Sequence, residues 1–148
     1  MTISNEANKK TSKRTANNLR VKDFLLHSRL VIRGSLPFSP SQYASISKIL
    51  SEEGSVTGSL RKQAEAKLRQ LPVADINIMH ALADYYLQKN EVIWAAGWLD
   101  KAEWRLERWI ERGVLEEYQI SQLREAGEKF RSRIHEQYKA ADEERVDD

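Results

Sequence analysis

The residues best suited to chemistry are three histidines, His27, His80 and His135, which lie far apart along the chain. His80 and Asp84 are one helical turn apart, a spacing at which a carboxylate can orient an imidazole or share a metal ion with it. One histidine and one aspartate do not complete a catalytic or metal site, since such sites need three or four ligands. We therefore expect His80 and Asp84 to be an ordinary solvated or capping pair on a helix.

Other signatures of enzymes are missing from the sequence. The six glycines form neither a phosphate-binding loop nor a Gly-x-Ser-x-Gly turn, and the chain has no cysteine, which excludes disulfides and thiolate metal sites. We expect a non-enzymatic protein that needs no cofactor. No apolar run approaches the ~20 residues of a membrane span, and the N-terminus has no apolar core of a signal peptide. These features predict a cytoplasmic protein with no membrane partner.

Charge is distributed unevenly along the chain. Residues 1–33 carry eight lysines and arginines against two acids, whereas residues 91–148 carry ten against fifteen. The first sixteen residues are polar and contain too few apolar side chains to order themselves. We predict a disordered basic arm at 1–16, a helical domain at 17–141 and a frayed acidic tail at 142–148.

The elements that position these residues are predicted to be helices, so the fold class is all-α, a bundle of five or six helices. Gly34 is expected to stop the first helix, and Ser39, Pro40 and Gln42 match a capping box with proline at the first helical position. Pro72 is expected to end a helix. Asn90 and Gly113 are suited to left-handed helix ends. The predicted helices cover 17–33, a segment from Ser39 to the turn at Gly54, 58–71, 74–89, 91–112 and a last segment from 115.

All four tryptophans of the chain lie in the predicted helix 91–112. At about 100° per residue, Trp94, Trp98 and Trp109 share one broad apolar arc, so we expect them to pack in a core. Trp104 points to the opposite side. It is either covered by another helix of this chain or exposed for a partner, because exposed tryptophans beside charged residues are typical interface anchors.

Residues 76–109 resemble one tetratricopeptide repeat. The segment has the 34-residue length of that repeat, and Ala83, Ala95 and Ala102 allow close approach of two antiparallel helices, with Tyr86 and Leu99 between them. The proline that usually ends the repeat is absent, and no second copy is evident. The resemblance implies a tetratricopeptide-like hairpin within a bundle and a function in protein–protein binding.

These observations favour a helical adaptor or accessory subunit that binds another protein within a macromolecular assembly. Ile93, Trp104 and Arg108 are the predicted contact residues. Self-association is also open, because residues 120–141 carry a near-heptad apolar stripe.

The alternative is an accessory or regulatory protein that binds DNA or RNA through the basic arm and the predicted helix 58–71. Cationic side chains of these segments would contact phosphates. The candidates are Lys9, Lys10, Lys13, Arg14, Arg20, Lys22, Arg61, Lys62 and Arg69.

Overall fold

The computed structural model describes the backbone of residues 2–147 and the side chains of residues 12–144. Over this range the chain forms five α-helices and no strand, which confirms the all-α prediction. None of these helices combines the length and the apolar content that crossing a bilayer requires. The helices are α1 (Thr2–Ile32), α2 (Pro40–Ser51), α3 (Gly58–Gln88), α4 (Val92–Glu111) and α5 (Glu117–Asp147).

The chain divides into two compact units, residues 1–71 and residues 72–148. The helical domain predicted at 17–141 spans parts of both units. The division falls within α3, so each unit contains about half of that helix.

The first unit is held together by apolar packing and by two asparagines of α1. The rings of Phe24 and Phe38 lie 5.8 Å apart between centroids. Nδ2 of Asn17 donates to the carbonyl of Ser55 at 3.3 Å, and the amide of Thr57 donates to Oδ1 of Asn18 at 3.0 Å. These bonds join α1 to the loop between α2 and α3, whose backbone groups need partners.

The two ends of the chain, for which a disordered arm and a frayed tail are predicted, continue the adjacent helices. The backbone is helical from Thr2 in α1 and up to Asp147 in α5. Residues 2–32 and 128–147 contain no glycine or proline, and extending an existing helix is much easier than nucleating a new one. Packing of the adjacent residues therefore supplies the nucleus from which each polar end continues.

The predicted capping box at the start of α2 is confirmed. Oγ of Ser39 accepts from the amide of Gln42 at 3.2 Å, and Oε1 of Gln42 accepts from the amide of Ser39 at 2.8 Å. Pro40 occupies the first turn, where its missing N–H removes no helical hydrogen bond.

The prediction that Pro72 ends a helix is wrong, because α3 continues through it to Gln88. Proline inside a helix costs about 3 kcal/mol. Leu71, Ile76 and Met79 are almost wholly buried on either side of it, and each such side chain contributes roughly 1.5–3 kcal/mol. Burial on both sides of the proline therefore outweighs the lost hydrogen bond.

The predicted helix ends at Asn90 and Gly113 are confirmed. Asn90 has φ +62°, and the amide of Glu91 donates to the carbonyl of Tyr86 at 2.9 Å, which is the Schellman pattern. Gly113 has φ +70° and closes α4. Both turns reverse the chain, so they set up the antiparallel arrangement of the second unit.

The second unit consists of three consecutive antiparallel helices. Contacts join Asp75 to Trp109 at one end of the first pair and Tyr86 to Trp94 at the other, so α3 and α4 are antiparallel. Nε2 of Gln137 donates to the carbonyl of Leu87 at 3.2 Å, which places α5 beside α3 as well. The core of this arrangement includes Leu87, Ala95, Leu99 and Ile134.

Candidate functional site

The buried face of α4 is a narrow stripe that includes one tryptophan, Trp109. Ala95, Leu99, Ala102, Leu106 and Trp109 are buried at alternating steps of four and three residues. Nε1 of Trp109 donates to Oδ2 of Asp75 at 2.9 Å, and Nε of Arg105 lies 3.7 Å from the same oxygen. The sequence analysis did not identify Asp75, although an acid within the apolar run "LPVADINIM" was a signal for a buried polar contact.

The prediction that Trp94 and Trp98 belong to the core is wrong for Trp94 and only partly right for Trp98. Trp94 is 64% exposed and Trp98 is half-buried. At about 100° per residue, Trp94 lies roughly 100° from the centre of the buried stripe and Trp98 about 60°, and the predicted arc was too broad. Trp94 instead stacks on Tyr86, with ring centroids 6.0 Å apart.

Trp104 is exposed and carries a stacked cation. Its side chain is 58% exposed, and Cζ of Arg108 lies 4.8 Å from the ring centroid. Ile93 is also exposed, but it precedes Trp104 by eleven residues, about 16 Å along the helix axis. The structure therefore brings Trp104 and Arg108 together and leaves Ile93 apart from them.

Trp104 lies at the rim of a groove between α4 and α5 of about 450 Å³. Two arginines of α5 form ion pairs across the helices: Arg124 with Glu107 at 3.1 Å, and Arg131 with Glu103 at 2.7 Å. We call this site the Trp104 groove. Its lining is His80, Asp100, Ala102, Glu103, Trp104, Leu106, Glu107, Leu123, Arg124, Gly127 and Glu128.

The floor of the Trp104 groove is formed by small residues and a buried histidine. A Cβ at Gly127 would lie 3.8 Å from Nε2 of His80, so the glycine leaves space above the imidazole. The His80 ring packs on Phe130 with centroids 5.3 Å apart. Burial lowers the pKa of His80 from its ordinary value, while the negative charge of Glu103 acts in the opposite direction. The net effect favours the neutral imidazole.

His80 and Asp84 have separate partners. Oδ1 of Asp84 accepts from Arg133 at 2.7 Å, and Oδ2 accepts from Gln88 at 2.8 Å. His80 faces Phe130 and Gly127. Both side chains therefore make structural contacts within the second unit.

Two of the cations proposed for nucleic-acid binding have partners within the chain. Nζ of Lys13 lies 3.7 Å from Glu52, and Arg61 donates to the carbonyls of Leu50 and Glu52 at the C-terminal end of α2. Arg61 therefore caps a helix, a role that the sequence analysis missed. The remaining described candidates, Arg14, Arg20, Lys22, Lys62 and Arg69, are exposed on α1 and α3. The side chains of Lys9 and Lys10 lie outside the described residues.

Comparison with protein families, curated proteins and solved structures finds no match to this chain. The resemblance of residues 76–109 to a tetratricopeptide repeat stays a prediction. The antiparallel pairing of α3 with α4 agrees with it, but α3 begins eighteen residues before that segment, at Gly58.

Proposed function

We propose that this protein is a non-enzymatic adaptor that binds a segment of another protein in the Trp104 groove. The observation that carries the proposal is the 58% exposed ring of Trp104 at the rim of that groove, with Arg108 stacked on it. Tryptophan and arginine dominate the energetic hot spots of protein interfaces. Exposing such a ring to water in the free protein is unfavourable, and a partner that covers it recovers this free energy.

The shape of the floor favours insertion of a side chain. Ala102 and Gly127 contribute little volume, whereas Leu106 and Leu123 supply apolar contacts beside them. A partner residue can therefore enter between α4 and α5 without displacing either helix.

The charges at the rim favour a basic flank on the partner. Arg131 forms ion pairs with Asp100 and Glu103, and Arg124 forms an ion pair with Glu107. Glu128 makes no ion pair with any described side chain and faces the same groove. We infer that the partner presents an apolar residue followed or preceded by lysine or arginine, which would pair with Glu128.

The same contacts support binding rather than catalysis. The carboxylates of the groove are mostly held by arginines, and the one histidine is buried beneath the surface and packed on Phe130. A general base must reach its proton at hydrogen-bond distance, and only 7% of His80 is exposed.

Affinity capture from lysate, followed by mass spectrometry, tests this site with two variants that damage it differently. Trp104→Ala removes the exposed ring at the rim of the groove, whereas Gly127→Leu adds a side chain that fills its floor. Trp94→Ala is the matched control, because Trp94 is equally exposed on α4 but does not line the groove. Loss of a central tryptophan contact weakens binding by about 2 kcal/mol or more, roughly 30-fold.

We expect a set of proteins retained by the wild type and by Trp94→Ala but lost from both groove variants, with nuclease treatment making no difference. Circular dichroism must show that the variants are folded. If every captured protein is retained by both folded groove variants, the proposed site is wrong.

A further inference from the structure

Helix α1 has a second apolar face that nothing in the described chain covers. Val21, Phe24 and Val31 point into the core of the first unit. Leu19, Leu26 and Leu30 are 58%, 59% and 42% exposed, and at about 100° per residue they lie opposite that core face. We call these three residues the leucine stripe.

The leucine stripe is narrow and straight. Its steps of seven and four residues keep the three side chains within about 40° of one another, over about 16 Å of helix. A helix that lies flat on a membrane needs a broad apolar face, of the order of 100° or more, whereas a narrow stripe at these steps is the seam of a helix–helix contact. The geometry therefore favours a helical partner over a lipid surface.

The charges along one side of the stripe are positive and form no ion pair with the described side chains. Lys22, Arg29 and Arg33 lie on this side and are exposed, and none pairs with a carboxylate among the described side chains, whereas Asp23 is the exposed acid on the other side. Three arginines of α5 whose side chains are described behave differently, since each forms an ion pair with α3 or α4. They are Arg124, Arg131 and Arg133. Helix α1 thus differs from α5 in that these cations form no ion pair with the described side chains.

We propose that the leucine stripe docks an acidic amphipathic helix of a partner protein, with apolar residues at heptad spacing and glutamate or aspartate beside them. The partner's apolar residues would pack between the leucines, and its carboxylates would pair with Lys22, Arg29 and Arg33. Pairing of two α1 helices along this stripe would bring like charges together, which disfavours a second copy as occupant. Exposed leucines add nothing to phosphate binding, so nucleic acid also fits this face less well.

The surface lies in the first unit and is independent of the Trp104 groove. Its test uses a defined probe, a fluorescent synthetic peptide of about three heptads with leucine at the a and d positions and glutamate at e and g. Repulsion between the glutamates keeps the probe monomeric. The matched probe has lysine in place of every glutamate. Fluorescence anisotropy with the full chain measures the dissociation constant of each probe.

We expect the acidic probe to bind at least about tenfold more tightly than the lysine probe, with a preference that weakens as salt is added. The double variant Leu19→Gln, Leu26→Gln should lose at least about tenfold in affinity for the acidic probe. Tyr118→Gln, which removes an exposed apolar side chain from α5, should bind as the wild type does. Both substitutions replace exposed residues, so the fold should be retained, and circular dichroism checks this.

Four outcomes would overturn the proposal. The first is equal or absent binding of the two probes, and the second is an affinity that the leucine variant leaves unchanged. The third is leucine-dependent binding of vesicles rich in phosphatidylserine, or of a DNA or RNA oligonucleotide, in place of the acidic probe. The last is a dimer in sedimentation that the leucine variant dissociates, which would assign the stripe to a second copy of this chain.

Discussion

At the scale of single residues, the most constrained group is the Asp75 carboxylate. It is fully buried, accepts from Nε1 of Trp109 and lies beside the largely buried guanidinium of Arg105. Asp75→Ala should lower the free energy of unfolding by about 3–5 kcal/mol, because it leaves a buried cation and an indole N–H without their partner. Asp75→Asn retains an acceptor for Trp109 and should cost less.

Urea unfolding followed by circular dichroism measures both losses. Asp100→Ala is the control, because the carboxylate of Asp100 is exposed and its ion pair with Arg131 is worth at most about 1 kcal/mol. A loss for Asp75→Ala no larger than that of the control would contradict the proposed role of the buried carboxylate.

His80 provides a second prediction at this scale. Burial lowers its pKa below the ordinary value of 6.5, so the unfolded chain binds the proton first as the pH falls. The contribution of His80 to stability is complete above about pH 6.5 and decreases below it, by at most about 1.4 kcal/mol per pH unit. His80→Gln should remove this part of the acid sensitivity in urea unfolding at about pH 7.5 and pH 5.

His135→Gln is the matched control for that experiment, because His135 is exposed on α5. The substitution therefore controls for the exchange of a histidine for glutamine away from the groove. If His80→Gln and the wild type lose the same stability between the two pH values, the imidazole does not resist protonation in the fold.

The tryptophans illustrate how far the sequence alone reaches at the residue scale. The helical spacing separated Trp104 from Trp109 correctly, because these two side chains lie near opposite sides of α4. It misplaced Trp94, because the spacing gives direction around the helix but not the width of the face that its neighbours cover. The His80 environment was equally hidden, since it depends on Phe130 and Gly127 from another helix.

At the scale of elements, helix ends set by local chemistry were predictable, and those decided by packing were not. Ser39, Asn90 and Gly113 act through bonds to their own neighbours, and all three end or begin helices as predicted. Pro72 is overridden by buried residues on either side of it. The side chain that caps the end of α2 is Arg61 on the next helix, and no local sequence pattern predicts this contact.

Arg61 therefore provides the prediction at this scale. Arg61→Ala should lower the free energy of unfolding by about 1.5–3 kcal/mol, because charged hydrogen bonds to the carbonyls of Leu50 and Glu52 are lost. Lys62→Ala, at the adjacent exposed position, should change stability by no more than about 0.5 kcal/mol. Urea unfolding compares the two, and equal stability of both variants would leave Arg61 available as a phosphate contact instead.

At the scale of the whole molecule, the two units differ in how many of their charged side chains form ion pairs. In the second unit Asp84, Asp100, Glu103 and Glu107 each pair with an arginine of α5, so part of its surface charge is neutralised internally. In the first unit the cations beside the leucine stripe have no such partners among the described residues. The first unit thus presents unpaired cations to acidic ligands, whereas the second unit pairs some of its acids with its own arginines.

The last prediction concerns the second unit alone. Residues 72–148 contain a core of their own, in which Leu87, Leu99 and Ile134 pack together, and we expect this fragment to fold by itself. Pro72 would become its first helical residue, where a proline has no hydrogen bond to lose. Asp75→Asn should destabilise the fragment and the full chain by the same amount to within about 0.5 kcal/mol, because Trp109 and Arg105, which contact the carboxylate, both lie inside the fragment. Urea unfolding of both proteins, with and without the substitution, measures the two differences. An unfolded fragment, or a substitution effect much larger in the full chain, would mean that the second unit depends on residues 1–71 for its stability.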